Sequence, residues 1–198
     1  MKPIIIAITG PSGFRKGELI DLALKTSDKI VRAKSYTDRP KYPNETDNNE
    51  FYFVNEETFT RMIEAEKFIE WQRLLSNNYR YGKTKEDFEK TINENPDKII
   101  LTIVNIINLP VFKRNYPNSK SIFIDVKDTK TLIDYLKNSP DVKSEEEFER
   151  RYKFATEERR RRHLTDFTMN MKDSVEESLP EFLKLIEKCS MEAKIKSI

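Results

Sequence analysis

Apolar positions along the chain fall into two kinds of pattern. The first is a short, nearly unbroken run: Ile4-Ile5-Ile6-Ala7-Ile8, then Ile99-Ile100-Leu101-Thr102-Ile103-Val104, then Ser121-Ile122-Phe123-Ile124, with Phe167-Thr168-Met169 a weaker case. Runs without polar alternation predict strands covered on both faces, the condition of a parallel sheet. The second pattern has helical spacing. Leu19, Ile20, Leu22, Ala23 and Leu24 give an apolar side to a helix that follows the turn Gly10-Pro11-Ser12-Gly13 and ends near Lys25. Further helical patterns lie at Thr129–Lys137, Glu145–His163 and Val175–Lys188. Strands alternating with helices predict an α/β fold, a parallel sheet between helical layers.

From about Lys34 to Pro96 the texture changes. Glu50-Phe51-Tyr52-Phe53-Val54 and Phe68-Ile69-Glu70-Trp71 read as short aromatic strands, and Glu56–Ala65 and Lys85–Asn93 as helices. This predicts a small mixed α+β subdomain inserted into the core, with Trp71 packed in its interior.

Composition narrows the function classes. A net charge of +2 supplies no global attraction to nucleic acid or anionic lipid, so neither is an expected partner. Cys189 is the only cysteine, which rules out an internal disulfide, and the run at residues 4–8 is too short to span a membrane; a cytoplasmic location is expected. His163 is the only histidine, so a His-based zinc cluster is excluded. The basic run Arg159-Arg160-Arg161-Arg162 reads as a solvated helix end favoured by the helix dipole.

The candidate chemistry begins at Gly10. Residues Gly10, Pro11, Ser12, Gly13, Phe14, Arg15, Lys16 and Gly17 approximate the phosphate-loop pattern G-x-x-x-x-G-K-[ST] between a strand and a helix. Such a loop turns successive backbone N–H groups toward phosphate, and the lysine reaches the outer phosphates. Two positions depart. Arg15 stands where glycine lets the backbone approach phosphate, and its charge could serve phosphate from outside the loop. Gly17 stands where a hydroxyl ligates Mg²⁺. Weakened triphosphate binding is expected. The bland alternative is a strand-to-helix turn with Lys16 solvated.

Downstream, Ser35-Tyr36-Thr37-Asp38-Arg39-Pro40, Glu45, Glu50–Val54, Phe68-Ile69-Glu70-Trp71 and Tyr81-Gly82-Lys83-Thr84 follow in order. This series resembles the guanylate kinases, whose pattern is S-x-T-T-R-x-P-R-x-G-E, D-Y-x-F-V, F-[IL]-E-W and N-x-Y-G-T, and the resemblance extends over nearly the whole chain. It implies a P-loop nucleotide kinase core (about 1–33, 97–128 and 164–198), a GMP-binding subdomain (about 34–96) and a helical lid (about 129–163). It also implies ATP with Mg²⁺ as phosphoryl donor. Lys16, Arg39 and Arg151 would be the catalytic cations. Ser35, Arg39, Tyr42, Phe51, Glu70, Tyr81 and Lys83 would surround GMP, with Glu70 accepting from the guanine N1–H and exocyclic amine. No residue is assigned to the metal.

Several positions depart from the family pattern. Tyr42 replaces the second phosphate arginine, with Lys41 one residue away. Phe51 lacks a phenolic hydroxyl. Lys83 replaces a small hydroxyl residue, and Thr102 and Val104 replace two aspartates, leaving Asn105 nearby. The lid arginine has no clear counterpart; Lys137 or Lys143 could serve, with Pro140 near the aligned place. Arg15, Lys41 and Lys83 are expected as new cations near phosphate. Two extra residues fall within Asn77-Asn78-Tyr79-Arg80. Three readings follow: an ATP-dependent kinase acting on GMP or a related nucleotide with impaired efficiency; an inactive module of this fold binding GMP or a phosphorylated or acidic peptide; and a nucleotide sensor without turnover.

Overall fold

The computed structural model describes residues 3–11, 14–41, 50–74, 77–139 and 142–195; Ser12, Gly13, Tyr42, Glu45 and Pro140 lie outside the described residues. The large sheet contains β1 (Ile4–Thr9), β2 (Ile30–Ala33), β7 (Ile99–Ile103), β8 (Lys120–Asp125) and β9 (Phe167–Asn170), all parallel, in the order β2-β7-β1-β8-β9. Ile6 pairs with Leu101 on one side and Lys120 on the other. Alternation along β1 sorts two apolar layers. Ile6 and Ile8 join Leu19, Ile20 and Phe182, whereas Ala7 joins Phe88, Phe112 and Phe123. The first layer lies under α1 (Lys16–Thr26) and α7 (Val175–Ile195). The second lies under α3 (Lys85–Glu94) and α4 (Leu109–Asn115). Burial on both faces is why these strands carry unbroken apolar runs.

The smaller sheet has the order β4-β3-β6-β5, from β3 (Ser35–Thr37), β4 (Phe51–Phe53), β5 (Phe68–Arg73) and β6 (Arg80–Thr84). Its pairing is mixed, since β3 runs parallel to β4 and antiparallel to β6. Helix α2 (Glu56–Glu64) covers it through Phe59, stacked on Phe68 with ring centroids 4.7 Å apart. Asn55 caps α2 by accepting from Thr58 N. Trp71 does not fill this core: it is 41% exposed and meets only the edge of Phe59. The register shift between Phe68 and Glu70 leaves Trp71 on the same face as Phe68, over Gly82, at the open margin of this core.

Two helices complete the chain: α5 (Thr129–Lys137), capped by Asp128, and α6 (Glu145–Arg160), capped by Ser144 accepting from Glu147 N at 3.2 Å. The helical pattern through His163 breaks at Arg160, and Arg162–Leu164 form a 3₁₀ turn. The basic run is not simply solvated. Arg159 Nε donates to Asp125 Oδ1 at 2.6 Å and Arg162 donates to Asp125 Oδ2 at 3.0 Å. Asp125 is 1% exposed at the end of β8, so these contacts fix the end of α6 to the large sheet.

Candidate active site

In an open parallel sheet, ligands bind beyond the carboxyl ends of the strands where strand order reverses. Here that place is the end of β1, between β7 and β8. The chain leaves β1 through Gly10 at φ 144°, where a Cβ would lie 2.1 Å from the Ile124 carbonyl oxygen, so only glycine fits. Phe14 is buried and packs edge-on against Tyr135 of α5 at 4.7 Å. Arg15, immediately before α1, is in the left-handed region at φ 31°, ψ 17°. This accounts for the glycine expected at that position.

The Arg15 guanidinium turns away from the loop. It donates to Glu18 Oε2 at 2.7 Å and 3.0 Å on the exposed side of the helix. Lys16 turns inward, 9% exposed, and its ammonium donates to the carbonyls of Gly10 (3.1 Å) and Pro11 (2.6 Å). Burial pushes its pKa below the ordinary lysine value, against the pull of Glu158 and Glu50. Glu158 has no counterpart among the residues singled out from the sequence. It is fully buried in α6 and accepts from Asn105 Nδ2 at 2.6 Å. The pair brings a carboxylate from another helix toward the end of β7, where Thr102 and Val104 supply none.

A second group forms on the small sheet. Arg39 is buried, and its guanidinium lies 5.7 Å from the Phe51 ring centroid and 5.4 Å from that of Phe53. Phe51 meets Tyr81 edge-on at 5.6 Å. The Tyr81 hydroxyl accepts from Asn77 Nδ2 at 2.8 Å, and burial raises its pKa against the opposing effects of Asn77 and Arg39. Arg39, Phe51 and Tyr81 therefore converge, while Tyr52 faces the other side against Tyr36.

Ser35, Glu70 and Lys83 form a third group. Lys83 is 1% exposed and donates to Ser35 Oγ at 2.7 Å and the Ile103 carbonyl at 3.3 Å. It is thus among the base-reading candidates and not, as its charge suggested, among the phosphate cations. Glu70 accepts from Asn108 Nδ2 at 2.8 Å. Burial raises the Glu70 pKa and lowers that of Lys83, each opposed by the other's charge.

The small sheet and α6 face each other across a cleft of about 390 Å³, within the range of small-ligand pockets. Arg39, Lys41, Asn77 and Tyr79 line one side, and Lys143, Glu147 and Arg151 the other. Arg151 donates to Glu147 Oε1 at 3.1 Å. Of the two lysines considered in place of a lid arginine, Lys143 reaches the cleft; Lys137 lies over the Phe148 ring at 5.3 Å. The structural arginine of this region is Arg80, which donates to Asp38 Oδ2 (2.6 Å), Thr60 Oγ1 and the Glu56 carbonyl and stacks on Phe59. Its sequence context, a two-residue extension before Tyr81, gave no sign of that role. Among the described residues no cluster of three His, Cys, Asp or Glu side chains could hold a metal, and no helix is long and apolar enough to cross a membrane.

The sequence profile described as guanylate kinase matches residues 1–189. Guanylate kinase of Prochlorococcus marinus is 32% identical over 185 residues, 92% of this chain and 96% of that protein. Guanylate kinase of Thermotoga maritima is 33% identical over 124 residues, 63% of this chain and 58% of that one. The crystal structure of guanylate kinase from Anaplasma phagocytophilum superposes with a TM-score of 0.70 at 18% identity, covering 94% of this chain and 86% of that chain.

Proposed function

Because the chain belongs to the guanylate kinase family, we propose that it transfers the γ-phosphoryl group of ATP to GMP or a closely related nucleoside monophosphate, releasing ADP and the nucleoside diphosphate. The observation that carries this reading is the meeting of Arg39 and Arg151 in one cleft, with Lys41 and Lys143 beside them. Phosphoryl transfer asks little covalent chemistry of a protein; it asks that two anions be positioned and their charge neutralised. Arg39 and Tyr81 hold the acceptor phosphate, Glu70 and Ser35 read the base, and Arg151 approaches the transferring group from α6. Lys16, released from the Gly10 and Pro11 carbonyls, serves the donor phosphates.

Mg²⁺ bound with ATP would neutralise charge on the phosphate oxygens. The residues present fit such an ion. Mg²⁺ in nucleotide sites takes most of its ligands from phosphates and water and needs only one or two protein oxygens. At the start of α1, Gly17 offers none, but a carboxylate of Glu50 stands beside it.

The test is ADP production from ATP, Mg²⁺ and GMP by the purified chain, with Lys16→Met as control. GMP-dependent turnover that falls at least about a hundredfold in the control is expected. A second reading, nucleotide binding without turnover, is favoured by the hold of two loop carbonyls on Lys16. GMP bound in calorimetry without any turnover would select it.

A further inference from the structure

Gly17 removes the hydroxyl that a phosphate loop places at the start of its helix. The space beside it is not vacant. A Cβ built on Gly17 would lie 2.7 Å from Glu50 Oε2 and 3.3 Å from Oε1. A serine side chain and this carboxylate could not both keep these positions. Glu50 is brought there by the residue order of the small sheet. It directly precedes β4, and its carbonyl accepts from Ser35 N at 3.2 Å where β3 begins. Arg32 links the same two points: it donates to the Gly17 carbonyl at 2.7 Å and lies 3.9 Å from Glu50 Oε2. Lys16 and Lys83 both feel the Glu50 charge.

We infer that Glu50 replaces the missing hydroxyl as the protein's oxygen ligand to nucleotide-bound Mg²⁺. A hard cation accepts a carboxylate oxygen as readily as a hydroxyl, and one carboxylate plus substrate phosphates is an ordinary Mg²⁺ arrangement. The absence of a side chain at Gly17 and the presence of the carboxylate are then two halves of one exchange: glycine makes the room that Glu50 occupies. The inference rests on the ATP·Mg²⁺ reading above.

Mn²⁺ titration followed by electron paramagnetic resonance, with a non-hydrolysable ATP analogue bound, tests it without turnover. Analogue binding in EDTA is measured alongside, and circular dichroism checks that each variant is folded. Glu50→Gln is expected to lower Mn²⁺ affinity about tenfold or more while analogue affinity in EDTA does not fall. Glu50→Ala is expected to do the same, and adding Gly17→Ser to it to recover most of the loss. Recovery by a neutral hydroxyl separates ligation from a general effect of negative charge. Unchanged Mn²⁺ affinity in Glu50→Gln, or a double variant as weak as Glu50→Ala, overturns the inference alone. A wild-type chain that binds no analogue overturns it together with the phosphoryl-transfer reading.

Discussion

Lys83 of β6 places its ammonium 2.7 Å from the Ser35 hydroxyl of β3, in a position 1% exposed. A long cation thereby takes the room of a small hydroxyl residue and ties two base-reading candidates together, with the Ile103 carbonyl as a second acceptor.

That burial has a pH signature. Desolvation lowers the Lys83 pKa below the ordinary 10.5. Between the lowered value and 10.5 the unfolded chain holds a proton that the folded chain has released, so this group makes stability rise with pH in that alkaline window. Urea unfolding at a series of alkaline pH values should show wild type gaining stability relative to Lys83→Met as pH climbs toward 10.5. A constant difference would place the ammonium in contact with solvent.

Glu70 is expected to set base selectivity. Glu70→Gln removes an acceptor for the guanine N1–H and exocyclic amine and should raise KM for GMP roughly ten- to a hundredfold. Asn108→Ala, which frees the Glu70 carboxylate and the Trp71 carbonyl but leaves the acceptor in place, should have a smaller effect. Steady-state kinetics with GMP and AMP compare the two.

Arg15 holds a backbone conformation that glycine adopts without strain, and its ion pair with Glu18 is partly exposed on both sides. Arg15→Ala discards the pair and keeps the strain; Arg15→Gly discards both. Thermal unfolding should find Arg15→Gly the more stable of the two by about 1 kcal/mol.

The Arg80–Asp38 pair is buried, with side-chain exposures of 6% and 5%. Removing one partner strands the other's charge, so Arg80→Met should cost about 3–5 kcal/mol in urea unfolding. Arg39 and Arg151, if they serve phosphate as proposed, should behave otherwise on substitution by Met, losing turnover with little loss of stability.

Lys143 and Lys137, the two lysines weighed as stand-ins for a lid arginine, offer a matched comparison. Lys143 lines the cleft, whereas Lys137 rests on Phe148. Lys143→Met should reduce kcat/KM for GMP by about tenfold, and Lys137→Met should leave it near wild type.

The large sheet was legible because strands buried on both faces announce themselves as apolar runs, and helices α1, α5 and α7 because their apolar spacing is regular. Strands β3 and β6 were not, since Ser35–Thr37 is three residues long and Arg80–Thr84 is mostly polar. Ile30–Ala33 includes Arg32, whose guanidinium donates to Asp21 and to the Gly17 carbonyl, contacts 11 and 15 residues away in sequence. The cleft residues Arg39 and Arg151 were reached through motif order. Glu158 and Asn108 escaped because their roles depend on partners 53 and 38 residues away. The outward turn of Arg15 likewise depends on Glu18, a side-chain choice that the loop pattern does not encode.

The clamp of Arg159 and Arg162 on Asp125 makes α6 a beam held by ion pairs at its C-terminal end and resting through Phe148 on the core near its other end. One end is pinned to the large sheet, and the 16-residue beam extends about 24 Å from it. Any swing about that pivot displaces Lys143, beyond the far end, more than Arg151, which lies nearer the pin. The cleft thus has two cations on one lever, Arg151 about halfway along it and Lys143 at its tip, so a given rotation moves Lys143 about twice as far. Widening the cleft draws Lys143 away first.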